Sequence, residues 1–402
     1  MTGTGGSGTG GSSSGTGGNN NATGGSGTGT GGDMITDAGS DATVSQDTGT
    51  TPDMKTMTDT GLGDVVGDAG GDSGNGNLSA DVISIMRRVA DWQLGRNGPD
   101  QLAMKDWIRG SMWVGISALY QMTKDDKYLT AIKNWAGANW DLSGGAGARG
   151  DNQCAAQTFF EAYLLDPTAA NMARLTAKSS FDQLVANTPQ GRVEWWWEDA
   201  LFMVPPGFAR LGAATGNKQY FATMNKMYWD TYAFLWSAKD GLMFRDHQGN
   251  DKNFWARGNG WVIGGAARVL EYLPQDDPMR PNFVKLIQDM AAALMKAQGS
   301  DGLWRANLLT PSQFPGPETS GTGFFTYGIA WGVNNGILDK ATYLPVATKG
   351  WNGLVSHVDT AGKLGYVQPV GVGPADAPAD STVPYGVGGF LLAGSEMAKL
   401  LP

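Results

Sequence analysis

The strongest chemical signal in the sequence is a segment that places acidic residues directly beside consecutive tryptophans. Residues 194–206 read EWWWEDALFMVPP, so Asp199 follows Trp197 by two positions. Tryptophan faces stack on sugar rings, and burial among aromatic groups raises a carboxyl pKa towards the range of a general acid. The segment therefore predicts a carbohydrate site with Trp197 as a sugar contact and Asp199 as the acid. An alternative stays open, in which the tryptophans are core residues and Asp199 caps a helix.

A second carboxylate, Asp151, comes directly before a predicted helix. By itself, an aspartate in this position is typical of a helix N-cap. At one site with Asp199, it becomes a candidate acid/base partner. The sequence does not give the separation of the two carboxylates, so retaining, inverting and single-acid chemistry all stay open.

A third candidate group combines an arginine with a tryptophan. Arg257 and Trp261 are four residues apart, so they lie on one face of a helix. A guanidinium group binds a carboxylate through two hydrogen bonds, and the tryptophan beside it offers a surface for a sugar. Upstream, Arg245 and His247 lie in a polar loop and are candidate substrate contacts. Cys154 has no neighbouring histidine and is interpreted as a small buried residue.

Composition and charge exclude several classes of function. The last 324 residues carry 28 basic and 29 acidic groups, so there is no basic excess for binding nucleic acid. The single cysteine excludes an intramolecular disulfide and a multi-cysteine zinc site. With only two histidines, a histidine-rich metal centre is not expected, and neither a metal nor another cofactor is predicted.

Residues 1–78 differ from the rest of the chain. They contain 24 of the 61 glycines and nine aspartates, but no aromatic residue. Such a segment buries too little apolar surface to offset the entropy of ordering it, so it predicts a disordered linker. No apolar run is long enough to span a bilayer, and no signal peptide is recognisable. The long spacer suggests an exported protein tethered to a cell surface, although an expression tag is an alternative.

From residue 79 onward, apolar residues recur with helical periodicity. Twelve helical segments are predicted, and amphipathic segments alternate with segments that are apolar on nearly all sides. Six hairpins with one exposed and one buried helix predict an all-α fold, an (α/α)6 barrel over residues 79–402. A helical solenoid is the alternative, but no repeat of fixed period is present. The twelve segments span about 79–95, 106–123, 126–138, 152–164, 167–187, 199–214, 217–237, 257–273, 279–298, 319–336, 340–358 and 382–401.

The barrel would bring the candidate residues together. If the buried helices form a parallel inner ring, their N-termini open at one mouth, where free N–H groups favour an anionic ligand. Five separate parts of the chain then meet at this mouth, and they begin at Trp107, Asp151, Trp195, Arg257 and Thr319.

Several of these motifs resemble glycoside hydrolase family 105, the unsaturated rhamnogalacturonyl hydrolases, which are related to the family 88 unsaturated glucuronyl hydrolases. The resemblance covers residues 79–402 and not the preceding segment. The motifs that carry it are WWWEDALFM at 195–203, FWARGNGW at 254–261, PETSGTGFF at 317–325, AWGVNNG at 330–336 and YGVGGFLLAGSE at 385–396.

The resemblance implies an (α/α)6 barrel that acts on the 4,5-unsaturated uronic acid left by polysaccharide lyases. In that family an aspartate protonates the C4=C5 double bond, water adds at C5, and the next sugar is released without a cofactor. Asp199 matches the catalytic acid/base, and Asp151 resembles a second essential aspartate. Matches to binding positions are Trp197 and Trp261 for stacking, Arg257 for the uronate, and Thr319 and Ser320 for a polar turn.

One feature departs from the family pattern, since some relatives place a histidine in the loop before the Arg257 motif, where this chain offers either Arg245 or His247. Family members act on products of rhamnogalacturonan, ulvan and arabinogalactan-type glycans, and rhamnogalacturonan is favoured here. Two other functions stay open. One is an inverting glycosidase on saturated glycans that uses Asp151 and Asp199, and the other is a non-catalytic glycan-binding protein.

Overall fold

A computed structural model describes residues 78–96, 101–142, 150–246 and 253–401. All of these residues belong to one compact unit. The predicted linker over 1–78 lies, apart from its last residue, outside the described residues, so its boundary stays a prediction.

Helices make up nearly all of the regular secondary structure in the described residues. A β-hairpin of two short strands, β1 (Trp236–Ser237) and β2 (Leu242–Met243), interrupts them. The helices are α1 (Leu78–Leu94), α2 (Trp107–Thr123), α3 (Asp126–Ala136), α4 (Gly150–Leu165), α5 (Ala169–Arg174), α6 (Lys178–Asn187), α7 (Gly191–Glu194), α8 (Ala200–Met203), α9 (Pro205–Thr215), α10 (Lys218–Leu235), α11 (Ala256–Leu270), α12 (Arg280–Ala297), α13 (Thr319–Asn334), α14 (Lys340–Val355) and α15 (Pro384–Leu400).

All twelve predicted segments are present, and two of them are divided. The fifth becomes α5 and α6, with a break at Leu175. The sixth becomes α8 and α9, because Pro205 and Pro206 have no N–H to continue the hydrogen bonds of a helix. Proline is instead favoured at the start of a helix, where α9 begins. The predicted all-α (α/α)6 barrel is confirmed.

Six inner segments form a closed ring. In order around the ring, α2 packs on α4, α4 on α8 and α9, these on α11, α11 on α13, α13 on α15, and α15 on α2. The outer layer includes α1, α3, α10, α12 and α14, each packed on inner helices. Every residue of α11 is buried, as expected for a helix that is apolar on all sides.

Neighbouring inner helices run parallel and lie very close together. On α15, Gly388 lies against Ser111 of α2, and a Cβ atom at this position would overlap the Ser111 carbonyl oxygen. On α13, Gly321 and Gly328 lie against Ala256 and Ile263 of α11. Both partners advance by seven residues, so the two helices have the same direction. Glycine permits this approach because it has no side chain.

A buried ion cluster joins the inner helices in the C-terminal half of the ring. Glu161 is 3% exposed and accepts hydrogen bonds from Arg210 and Arg268, while Arg210 also pairs with Glu271 at 2.6 Å. Burial opposes ionisation of Glu161, but the two guanidinium groups lower its pKa to about 2. The charged cluster therefore links α4, α9 and the end of α11.

None of the described helices is long and apolar enough to cross a membrane.

We expect Glu161→Gln to lower the free energy of unfolding by about 3–5 kcal/mol, because it removes the carboxylate that pairs with the buried Arg268 and leaves Arg210 with Glu271 alone. The measurement is urea unfolding at neutral pH. Since the pKa of Glu161 lies below the unfolded value of 4.5, the difference should shrink as the pH falls from 4.5 towards 2. As a control, Asp289→Asn breaks an exposed pair with Lys285 and should cost less than about 1 kcal/mol. A loss this small for Glu161→Gln would contradict the assignment.

Candidate active site

The N-terminal ends of the inner helices bring aromatic and charged residues together at one mouth. Trp107, the first residue of α2, stacks on Tyr385 with ring centroids 5.3 Å apart. Trp107 and Trp261 form an edge-to-face pair with ring centroids 6.4 Å apart. The guanidinium group of Arg257 lies 4.7 Å from the centroid of the Tyr385 ring. The structure therefore places Trp107, Arg257 and Trp261 in one group.

The tryptophan-rich segment supplies the opposite side of the mouth. The Trp197 ring packs against Gly150, where an added Cβ would lie 3.4 Å away, so Trp197 is next to the start of α4 and Asp151. Trp197 also forms an isolated β-bridge with Asp246. Asp151 lies within the first turn of α4 and is partly exposed. Its position within the helix differs from the expected N-cap.

The three consecutive tryptophans have different surroundings, because adjacent side chains point in different directions. Trp195 is 1% exposed and packs near Phe208 in the core. Trp196 and Trp197 are half-buried, and the Arg245 guanidinium group lies 5.7 Å from the Trp196 ring. Trp195 is a core residue, and Trp197 remains available at the mouth.

Asp199 occupies the residue before α8, but its side chain makes no capping hydrogen bond. Its Oδ1 atom is buried and has no hydrogen-bond partner among the described residues. Burial raises the pKa of Asp199 to about 6, Arg245 and Arg257 oppose this increase, and Asp246 adds to it. The capping alternative is therefore not supported. The geometry leaves a desolvated carboxyl group that can hold a proton near neutral pH.

Arg257 is held in place through one end of its guanidinium group. Nη1 donates to the carbonyl oxygens of Gln368 at 2.7 Å and Pro369 at 3.1 Å, and to the Tyr385 hydroxyl at 2.8 Å. Nε and Nη2 are buried and have no partner within the described ranges. Two unpaired N–H groups on one edge of a fixed guanidinium match the geometry of a carboxylate.

The other predicted binding residues have more varied surroundings. Trp261 is 1% exposed and lies between Phe202 and Phe324, so its stacking on a sugar stays a prediction. The Thr319 hydroxyl donates to the Gly365 carbonyl at 2.8 Å. The Ser320 hydroxyl donates to Glu318. Both hydroxyls have internal partners, and their role in binding also stays a prediction.

Of the two candidate substrate contacts Arg245 and His247, the structure describes only Arg245. Arg245 pairs with the adjacent Asp246, and its charge acts on Asp199. His247 lies outside the described residues.

Sequence reasoning missed four residues that support this site from outside it. Tyr385 and Gln368 hold Arg257, and Glu198 and Asn259 form a buried hydrogen bond behind Asp199. Tyr385 begins one of the quoted motifs and was thus detectable, whereas Gln368 lies in a loop without a pattern. In the described part of the chain, no group of three histidine, cysteine or acidic residues could hold a metal ion.

Comparison with known proteins agrees with this geometry. Residues 84–401 match the sequence profile of Glycosyl Hydrolase Family 88. The chain belongs to this family. The chain is 36% identical over 348 residues to an unsaturated 3S-rhamnoglycuronyl hydrolase from Formosa agariphila. The alignment covers 80% of this chain and 91% of the relative. The predicted resemblance and the predicted enzyme class, a glycoside hydrolase, are confirmed.

Two solved structures are similar to this family 88 enzyme throughout the barrel. One, described as a glycosyl hydrolase family 88 protein from Bacteroides vulgatus, has a TM-score of 0.73 and 31% identity and covers 80% of this chain and 99% of its own. The other is described as a polysaccharide lyase. It has a TM-score of 0.72 and 34% identity and covers 80% of this chain and 98% of its own.

The charges around Asp199 predict opposite effects of two substitutions on the pH dependence of the family 88 enzyme. A reaction that uses the Asp199 proton loses kcat/KM as the pH rises through about 6. Arg245→Gln removes a charge that lowers the pKa of Asp199, so the falling limb of the kcat/KM pH profile should move to higher pH by about 0.5–1 unit. Asp246→Asn removes a charge that raises this pKa, so the limb should move to lower pH. The double variant should return towards the wild type. Shifts in the same direction would contradict this account.

We expect Arg257→Ala to weaken binding of a uronate-ended substrate by about 2–5 kcal/mol, because the carboxylate loses a desolvated partner. Arg257→Lys keeps the charge but not the two parallel N–H groups, so it should restore only part of the affinity. Calorimetry and KM provide the measurement. Arg192→Ala, which removes an exposed pair with Asp230, is the control. An unchanged KM and kcat in Arg257→Ala would indicate a structural role.

Proposed function

We propose that this enzyme removes a 4,5-unsaturated uronic acid from the non-reducing end of oligosaccharides produced by polysaccharide lyases. One observation carries the proposal: the uncapped Asp199, half-buried with a buried Oδ1 atom and a pKa of about 6, shares the mouth with Arg257, two of whose N–H groups are unpaired among the described residues. The first group supplies a proton, and the second binds a carboxylate. An unsaturated uronate needs both.

The reaction uses Asp199 first as an acid and then as a base. Asp199 donates its proton to C4, and positive charge develops at C5 beside the ring oxygen. Water adds at C5 and gives a proton back to the Asp199 carboxylate, which restores the acid. The resulting hemiketal opens to a ketone, and C1, now a hemiacetal carbon, releases the next sugar. Asp151, at the start of α4, orients the water.

Substrate binding itself favours protonation of Asp199. In the free enzyme, the Arg257 charge lowers the pKa of this carboxyl group. When the uronate carboxylate pairs with Nε and Nη2, much of that charge is neutralised, so the pKa of Asp199 rises in the complex. The acid is thus most fully protonated when the double bond is present. A neutral-ended saturated sugar would not produce this effect.

The family relative named a rhamnoglycuronyl hydrolase supports rhamnose as the sugar that follows the uronate. We propose a rhamnose-containing oligosaccharide as the substrate, with rhamnogalacturonan and ulvan products as the two sources to compare.

We also propose that the protein is exported and tethered through residues 1–78. The glycine-, serine- and threonine-rich composition of that segment supports this proposal, and cell fractionation tests it.

The test is the loss of ultraviolet absorbance of the unsaturated uronate when the protein meets lyase-digested rhamnogalacturonan or ulvan. We expect the absorbance to fall with the wild type. Asp199→Asn should be at least about 10³-fold slower, because its amide cannot deliver the proton. The free energy of unfolding of Asp199→Asn at pH 7 should also be up to about 3 kcal/mol higher than that of the wild type, since it removes a half-buried carboxyl group whose ionisation is unfavourable in the native state.

Other outcomes would point to other functions. A rise in absorbance with undigested polysaccharide would indicate elimination, in line with the similar structure described as a lyase. Cleavage of saturated oligosaccharides alone would indicate an inverting glycosidase that uses Asp151 and Asp199. Binding without turnover would indicate a glycan-binding protein.

A further inference from the structure

Glu198 is a fully buried carboxylic acid next to the catalytic residue in the chain. Its side chain is 0% exposed, and Oε2 accepts a hydrogen bond from Asn259 Nδ2 at 3.0 Å. Oε1 is buried and has no hydrogen-bond partner among the described residues. The single bond comes from a neutral amide, and no cation forms an ion pair with Glu198 in the described part of the chain.

The carboxyl group fills a space that the α11 backbone leaves open. A Cβ atom at Gly258 would overlap Glu198 Oε1 and Cδ. Glu198 therefore lies directly against the α11 backbone, one residue after Arg257. This contact requires glycine at position 258 and a side chain of the length of glutamate at position 198.

Asn259, which holds Glu198, is itself fixed on several sides. Its Oδ1 accepts from the Met243 N–H at 2.8 Å, and its Nδ2 also donates to the carbonyl oxygens of Met243 at 2.9 Å and Trp255 at 3.1 Å. The backbone N–H of Glu198 donates to the Arg245 carbonyl at 2.9 Å. Through these bonds, Glu198 connects the segment of Asp199 to β2 and to the start of α11.

We propose that Glu198 is a positioning residue: its carboxyl group, held as the neutral acid between Gly258 and Asn259, fixes Asp199 relative to Arg257. This inference rests on the proposed function. The charged groups that act on Glu198 are Asp199 on its own segment and Arg245 and Asp246 on the segment after β2. Burial and the Asp199 and Asp246 charges raise its pKa well above the usual value, and the partly exposed Arg245 opposes them.

Two substitutions at position 198 separate shape from charge. Glu198→Gln has the same length and is neutral, so kcat should stay within about threefold of the wild type and the falling pH limb should not move. Glu198→Asp keeps the carboxyl group but is one methylene shorter, so it no longer reaches Gly258 and Asn259. We expect it to lower kcat at least tenfold. A shift of the limb to lower pH in Glu198→Gln would mean that Glu198 is ionised and would overturn the proposal, as would full activity in Glu198→Asp.

A double-substitution cycle tests the contact with Gly258. Gly258→Ala should lower kcat/KM at least tenfold in the wild type, because the new methyl group displaces the Glu198 carboxyl group. In the Glu198→Ala background this methyl group fills the vacated space, and its further effect should stay below about twofold. Equal losses in both backgrounds would overturn the proposal.

A stability measurement tests the protonation state without any substrate. The unfolded glutamate ionises near 4.5, whereas the native residue keeps its proton, so the wild type should lose stability as the pH rises. Relative to Glu198→Gln, its unfolding constant should increase about tenfold per pH unit between 5 and 7. A flat ratio would overturn the proposal even if the enzyme hydrates unsaturated uronates. If the wild type does not hydrate unsaturated uronates but the ratio of unfolding constants rises with pH, the proposed function is wrong, and the assignment of Glu198 as a neutral acid still holds.

Discussion

The parallel direction of the six inner helical segments is the constraint on which the rest of the structure depends. Because each returns through the outer layer, all their N-termini lie at one end and all their C-termini at the other. No side chain caps α11 or α15 at the N-terminal end, and the partial positive charge there suits an anionic substrate. The C-terminal half contains the buried Arg210 and Arg268, whose positive charges complement the partial negative charge of the helix ends. One topology thus forms the binding mouth at one end and places the ion cluster in the other half.

Buried carboxyl groups have different surroundings at the two ends of the ring of inner helices. Around Glu161, guanidinium groups and hydrogen-bond partners satisfy the carboxylate, and its pKa is lowered. At the mouth, the carboxyl groups of Glu198 and Asp199 each have an unpartnered oxygen within the described residues, and both pKa values are raised. Arg257 likewise has two nitrogens without partners in the described part of the chain. Unsatisfied charged groups cost stability, so a cluster of three such side chains at the mouth is the expected signature of a site that a ligand completes.

Close packing around glycines makes this arrangement possible. Gly388 allows α15 to meet α2, which closes the ring, and Gly258 leaves room for the Glu198 carboxyl group. The first contact determines the fold, and the second determines the distance between the Asp199 segment and the helix of Arg257. The same residue type therefore serves packing in one place and the geometry of the site in another.

The sequence alone determined the twelve helical segments, the alternation of exposed and buried helices, and the identity of Asp199 and Arg257 as candidates, because periodicity and side-chain chemistry are local properties. The family motifs extended this to a glycoside hydrolase. Only the tertiary structure decided that Asp199 is uncapped, that Trp195 is a core residue and that Gln368 and Tyr385 hold Arg257. These features depend on contacts between residues more than one hundred positions apart and on burial that follows from closure of the ring. Spacing along the chain carries no information about either.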